Sequence, residues 1–69
     1  MSRVQVLVNG IARQVTPGAS LADLVAELSP STAGVAVAVD ALVVPRGDWP
    51  TSRLADGDRV EIVTAMQGG

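Results

Sequence analysis

The N-terminal part of the chain alternates apolar and polar residues with a period of two. The valines of Val4–Val8 share one face of a predicted strand, and Leu7 takes the opposite face. Asn9-Gly10 then predicts a hairpin turn, because both residues of such a turn must tolerate a positive φ. A second strand over about 11–15 completes a β-hairpin.

A helical pattern follows the loop around Thr16-Pro17-Gly18. Ser20 stands in the N-cap position, and Asp23 is placed to favour the positive end of the helix dipole. Apolar residues then recur at the spacing i, i+3, i+4 and i+7, which predicts a helix with one apolar face: Leu21, Leu24, Val25 and Leu28. Ser29-Pro30 ends the pattern, since the residue before a proline is pushed out of the helical region.

The second half of the chain has a further strand pair and a final strand. Val35–Val39 alternates valine with alanine, which suits a strand with one thick face and one close-packed face. Asp40-Ala41 turns the chain into a short segment over 42–44. Asp56-Gly57-Asp58 predicts a tight turn before a last strand of about 59–64.

Two features of this half are best explained by structure alone. Trp49 is the only aromatic residue, and we expect it to anchor an irregular segment containing a single helical turn. Asp56 and Asp58 flank a glycine, but two carboxylates fall short of the ligand number that calcium requires. We therefore expect a plain turn there and no metal site.

The order of hairpin, helix, strand pair and final strand predicts an α+β fold. One helix can cover a single face of a mixed sheet of about five strands, which is the layer order of the β-grasp, or ubiquitin-like, roll. We expect residues 1–64 to form this domain and residues 65–69 to form a flexible C-terminal tail ending in Gly-Gly.

Composition and charge favour a carrier or a binding module over an enzyme. The chain has no Cys, His, Lys or Tyr side chain and so lacks the commonest nucleophiles, general bases and metal ligands. Its net charge is −2 without a basic cluster, which argues against nucleic acid as a partner. No apolar stretch approaches the roughly 18 residues of a membrane span. We expect a cytoplasmic protein that binds neither nucleic acid nor membrane.

The C-terminal Gly68-Gly69 suggests that the reactive group is the carboxylate of the chain itself. Glycines make a thin arm without Cβ atoms that can enter a narrow active site of a partner. A terminal carboxylate is ionised at neutral pH, with a reference pKa of about 3.3–3.7. It can attack the α-phosphate of a nucleotide, and the acyl-adenylate then provides the leaving group that a sulfur nucleophile displaces.

Segments spread over the whole chain resemble the thiamine-biosynthesis sulfur carrier family, ThiS, in order and spacing. They are Leu24-Val25-Ala26-Glu27-Leu28, Val37-Ala38-Val39-Asp40, Val44-Pro45-Arg46 with Trp49 soon after, Leu54-Ala55-Asp56-Gly57-Asp58, Val60-Glu61-Ile62 and Met66-Gln67-Gly68-Gly69. The family's usual asparagine after the third strand is Asp40 here, a departure expected only to alter a turn.

The resemblance implies a sulfur carrier that is not itself an enzyme. By this comparison Gly69 is adenylated by an E1-like, ThiF-type enzyme and converted to a thiocarboxylate, while Gly68 threads the arm into the active site. ATP and magnesium would belong to the activating enzyme, and no cofactor to this chain. The sulfur would come from a donor such as a cysteine desulfurase relay and pass to a ThiG-type thiazole synthase.

Leu7, Val63 and Met66 are the predicted partner-docking residues. If the valine face of the first strand and Val60/Ile62 meet the helix, these three side chains form an uncovered apolar patch that leads to the tail. Ordinary scattered surface hydrophobes are the alternative explanation.

Three other functions fit parts of the pattern. The small subunit of molybdopterin synthase shares the fold, but that family is longer and typically has a proline pair before its terminal glycines, where this chain has Thr64-Ala65-Met66-Gln67. A ubiquitin-like protein modifier and a structural β-grasp domain with an accidental Gly-Gly end are the other two.

Overall fold

The computed structural model describes residues 3–29 and 34–64. Its elements are β1 (Val4–Val8), β2 (Ile11–Val15), α1 (Leu21–Leu28), β3 (Val35–Val39), β4 (Leu42–Val44), a 3₁₀ helix (Arg46–Thr51) and β5 (Arg59–Thr64). These bounds confirm the strands, the helix and the helical turn predicted from the pattern of apolar residues.

The strands form one mixed sheet in the order β2-β1-β5-β3-β4. β1 pairs antiparallel with β2 and parallel with β5, while β3 lies antiparallel to both β4 and β5. β5, the last strand in the described residues, is therefore the central strand of the sheet, between the two hairpins. The five-stranded mixed sheet with one α-helix in the described residues confirms the predicted α+β architecture.

The core lies between α1 and one face of this sheet. Leu21, Leu24 and Val25 are the buried residues of the helix. The other buried apolar residues come from the facing side of the strands and from the segment between β4 and β5: Val6, Val8, Val37, Trp49, Leu54 and Val60. The period-two valines of β1 thus face the helix, as predicted.

The start of α1 is fixed by a reciprocal pair of hydrogen bonds. The Asp23 backbone N–H donates to Ser20 Oγ at 3.1 Å, and the Ser20 backbone N–H donates to Asp23 Oδ2 at 3.0 Å. This capping box satisfies two N–H groups that a helix start would otherwise leave unpaired. A bridge between Ser20 and Arg53 ties the same point to the segment before β5.

Trp49 is buried, as predicted for an anchor of the irregular segment. Its indole Nε1–H donates to the Val44 carbonyl oxygen at 2.9 Å. The ring therefore fills the core beside α1, and its polar atom is satisfied by the end of β4.

Two-residue turns connect the strands of the two hairpins, β1–β2 and β3–β4, which flank β5. Asn9 and Gly10 have φ of 50° and 85°, as the Asn-Gly pattern predicts for a two-residue hairpin turn. Asp40 and Ala41 have φ of 50° and 70°. No sequence pattern predicts the positive φ of Ala41, which places a residue with a Cβ in a region that favours glycine.

Asp56, Gly57 and Asp58 form the predicted turn before β5. Gly57 has a φ of 89°, and both carboxylates accept backbone hydrogen bonds: Asp56 Oδ1 from the Gln5 N–H at 2.9 Å, and Asp58 Oδ2 from the Ala55 N–H at 2.9 Å. These bonds fix the loop next to β1, which is a structural use of both acids.

Candidate functional site

The reactive end predicted from the sequence follows the central strand, β5, in the sequence. β5 ends at Thr64, which is paired with Val35 of β3. Gly68, Gly69 and Met66 lie outside the described residues. The described part of the site is therefore the end of β5 and the sheet surface around it.

The two faces of β5 have different surroundings. Val60 is buried beneath α1 and Ile62 is half-buried, while Arg59, Glu61 and Val63 alternate onto the opposite, open face. Leu7 is on that same open face, because Val6 and Val8 on either side of it are buried under the helix.

The structure places Leu7 and Val63 on one face but at opposite ends of β5. Leu7 is in register with Arg59, whereas Val63 follows four residues later along the strand. At about 3.3 Å per residue this separates them by roughly 13 Å. Glu61 occupies the same face between them, so the two apolar side chains are not direct neighbours.

A more continuous apolar surface lies on the other side of Val63. Val63 pairs with Ala36, and Ala38 pairs with Val43 of β4, so these four side chains share the open face. Val63 is 62% exposed and Val43 is 77% exposed. The small alanines between two exposed valines make a shallow apolar surface, which we call the valine–alanine patch.

Sequence reasoning missed the contribution of β3 and β4 to this patch. The signal lies in the alternation of valine and alanine over Val35–Val39, which predicts one thick and one close-packed face. The structure turns the valines toward the helix and the alanines toward the open face.

Side chains from the two turns hold β5 from both sides. Asn9 Nδ2 donates to the Ile62 carbonyl oxygen at 3.1 Å, and the Ile62 N–H donates to Asn9 Oδ1 at 2.9 Å. On the other side, the Arg59 N–H donates to Asp40 Oδ1 at 3.1 Å. The departure from asparagine at Asp40 thus leaves an acceptor that the turn uses.

The described residues show neither a metal cluster nor a membrane-spanning helix. Within 3–29 and 34–64, no group of three or more His, Cys, Asp or Glu side chains could hold a metal ion. No helix in this part of the chain is both long and apolar enough to cross a membrane.

Comparison with known proteins identifies the family. The model described as the ThiS family matches residues 6–69, a range that includes the terminal Gly68-Gly69. The chain belongs to the ThiS family.

Two ThiS proteins illustrate the similarity. The sulfur carrier protein ThiS of Escherichia coli (strain K12) is 32% identical over 66 residues, covering 96% of this chain and all of that protein. The crystal structure of the thiamine biosynthesis protein ThiS from Geobacter metallireducens superposes with a TM-score of 0.78 at 28% identity, covering 96% of this chain and 100% of the other. The match confirms the β-grasp fold and the resemblance to ThiS drawn from the sequence.

Proposed function

We propose that this ThiS-family chain carries sulfur for thiamine biosynthesis as a thiocarboxylate on Gly69. The observation that supports this most directly is the family match, which extends over the sheet and through the Gly-Gly end. The chain acts as a co-substrate of other enzymes and is not a catalyst itself.

The chemistry begins with the terminal carboxylate. A carboxylate oxygen of Gly69 attacks the α-phosphorus of ATP, the bond to the β-phosphate breaks, and pyrophosphate leaves. The outer sulfur of a donor persulfide then attacks the carbonyl carbon of the acyl-adenylate, a C–S bond forms, and AMP leaves with the bridging oxygen. A thiol next attacks the inner sulfur of this acyl disulfide, so that the S–S bond breaks, its electron pair stays on the acyl sulfur, and a disulfide is left on the donor. The resulting thiocarboxylate donates its sulfur to thiazole synthase.

This division of work agrees with the composition of the chain. It contains no His, Cys, Lys or Tyr, so none of these side chains is available for proton transfer or nucleophilic attack. ATP and magnesium belong to an E1-like activating enzyme, and the sulfur comes from a donor such as a cysteine desulfurase relay. The carrier contributes a free carboxylate, a narrow arm and a surface to dock.

Blocking the carboxylate tests the proposed chemistry. Appending one alanine after Gly69 should abolish ATP–pyrophosphate exchange with the activating enzyme, because the Gly69 carboxyl group becomes a peptide bond and the new terminal carboxylate lies one residue further along, on a residue whose Cβ widens the arm. The same alanine placed before Met1 is the matched control and should leave the exchange rate unchanged. Circular dichroism should show the same fold in both proteins, and undiminished exchange by the C-terminally extended protein would contradict the proposal.

The docking surface of this carrier lies on the open face of the sheet near the end of β5. We centre this surface on the valine–alanine patch around Val63 and keep Met66 from the sequence prediction. Leu7, the third predicted residue, lies on the same face but roughly 13 Å away, beside the start of β5, and would contact a separate part of the partner. An exposed apolar surface beside the last described residues of β5 is a suitable binding surface for an enzyme whose active site must also take up the C-terminal arm. Full burial of one such side chain against a partner contributes about 1.5–3 kcal/mol. Because a few residues usually provide most of the binding energy of an interface, a single substitution here should have a measurable effect.

Val63→Asp tests this surface, with Ile11→Asp as a matched control. Ile11 is also β-branched and apolar and is 69% exposed, but its pairing with the buried Val8 puts it on the other side of the sheet. Val63→Asp should raise the dissociation constants for the activating enzyme and for thiazole synthase by about tenfold or more, since 1.4 kcal/mol corresponds to a factor of ten. Ile11→Asp should change neither constant appreciably. Calorimetry on folded variants measures both, and equal affinities for the two variants would place the docking surface elsewhere.

A further inference from the structure

We propose that Asn9 is a positioning residue for the end of β5, the strand that precedes the reactive C-terminus in the sequence: its carboxamide clamps β5 at Ile62 and fixes the end of the strand relative to the docking face. Only the expected effect of Asn9 on adenylation rests on the proposed function. The clamp itself is a property of the free carrier.

The side chain of Asn9 takes the place of the next residue of β1. The backbone pairing of β1 with β5 is in register at Leu7–Arg59 and Val8–Val60, after which β1 turns away into the hairpin. A peptide group at the following position would offer one N–H and one C=O to β5. The Asn9 carboxamide offers the same two groups, and both are bonded to the backbone of Ile62.

The turn explains why one residue can do this. Position 9 has a φ of 50°, a conformation that asparagine tolerates better than most residues with a side chain. Its backbone N–H still donates to the Val60 carbonyl oxygen at 2.9 Å. The main chain of Asn9 thus completes the parallel ladder, and its side chain extends the ladder by one further step.

This step lies near the end of β5, the strand that precedes the reactive C-terminus in the sequence. Ile62 is two residues before Thr64, the last residue that the structure describes. Among the described residues, β3 supports the end of β5 on one side through Val35–Thr64 and Ala36–Val63, and Asn9 supports Ile62 on the other. Without Asn9, the final part of β5 would be held from one side, and its direction relative to the docking face would be less well defined.

Asp40 provides a matched comparison at the other end of the strand. It also occupies the first position of a hairpin turn with a φ of 50°, and its side chain accepts a hydrogen bond from the Arg59 N–H. Its contact is at the first residue of β5, away from the tail. Asn9→Gly and Asp40→Gly therefore remove similar contacts and keep similar turns, but only the first change acts next to the tail.

The first readout is amide hydrogen exchange of the free carrier by NMR. In Asn9→Gly the Ile62 amide should exchange about tenfold faster than in the parent, because its hydrogen-bond acceptor is lost. In Asp40→Gly the Arg59 amide should change instead and the Ile62 amide should keep its protection. An Ile62 amide equally protected in Asn9→Gly and in the parent would overturn the clamp.

The second readout is steady-state adenylation by the activating enzyme. Asn9→Gly should lower kcat by about tenfold with little change in KM, because a loosened end of β5 presents the terminal carboxylate in a productive position less often while the docking side chains are unchanged. Asp40→Gly should keep both constants near those of the parent. A kcat for Asn9→Gly equal to that of the parent, or an equal loss in Asp40→Gly, would overturn the positioning role.

Two arrangements keep the test decisive. If Asn9→Gly does not fold, Asn9→Asp replaces it, since aspartate exchanges the donor for a carboxylate oxygen that repels the Ile62 carbonyl oxygen and so opens the clamp on that side. A parental kcat in Asn9→Asp would then count against the inference, and a reduced kcat at unchanged KM would support it. If the parent itself is not adenylated, the proposed function fails, and hydrogen exchange alone decides whether Asn9 clamps β5.

Discussion

Replacing Leu24 with alanine removes a side chain at the centre of the interface between α1 and the sheet. Leu24 is 2% exposed and belongs to the same apolar cluster as Val6, Val37 and Val60 of the three central strands. Truncation of a buried leucine to alanine costs about 2–5 kcal/mol, the upper part applying where the surroundings cannot collapse into the space. The capping box at Ser20 fixes one end of the helix and limits such collapse.

The expected loss is large compared with the stability of so small a domain. At about 0.05–0.15 kcal/mol per residue, a chain of 69 residues has a free energy of unfolding of about 3–10 kcal/mol. Each 1 kcal/mol shifts the melting temperature of such a domain by about 4–8 °C, so Leu24→Ala should lower Tm by at least about 8 °C. Part of the protein would already be unfolded if the parent lies at the low end of this range.

Leu42→Ala is the matched control, since Leu42 is 72% exposed. The same chemical change at a surface position should alter the free energy of unfolding by no more than about 0.5 kcal/mol. Urea denaturation and thermal melting of both variants provide the comparison. If the two variants have the same midpoint, Leu24 does not lie in the core and the packing of α1 described above is wrong.

Two further changes test local features of the fold. Ala41→Gly should stabilise the protein by about 0.5–1 kcal/mol. The strain energy that is removed from the positive φ exceeds the free-energy cost of the greater freedom of glycine in the unfolded chain. A lower urea midpoint for Ala41→Gly would contradict this. Hydrogen bonds from the Ser20 backbone N–H, the larger cause, and from the Ser20 hydroxyl hold the pKa of Asp23 below its ordinary value of 3.8. The Asp23 carboxylate should therefore stabilise the fold above pH 3.8, and this stabilisation should disappear as the pH falls through the lowered pKa. Asp23→Asn should accordingly be less stable than the parent at about pH 7 and converge with it in strong acid, and a constant difference in urea midpoint would contradict the assignment.

Local patterns were sufficient to predict the elements of this fold. The period of two in Val4–Val8, the Asn9-Gly10 turn and the apolar stripe of α1 each depend on residues close together in the sequence, and each is confirmed. The pairing of β1 with β5 joins residues more than fifty positions apart, as the Asn9–Ile62 bonds do. No local pattern encodes such a register, so the clamp could not be predicted.

The site was predicted less completely, for a related reason. Alternation assigns Leu7 and Val63 to a face, and the structure places both on the open side of the sheet. Alternation does not determine how far apart Leu7 and Val63 lie along β5, because that distance depends on the register of β1 against β5. The neighbours of Val63 on β3 and β4 required the sheet order as well.

The central claim is that Gly69 carries sulfur, and intact-mass spectrometry tests it most directly. The purified chain is incubated with ATP, magnesium, the activating enzyme and a sulfur donor, alongside a sample without ATP. The account predicts an ATP-dependent mass increase equal to the replacement of one oxygen atom by sulfur, located by fragmentation on the C-terminal residue. An unchanged mass, or a stable covalent adduct to another protein in place of this increase, would contradict it.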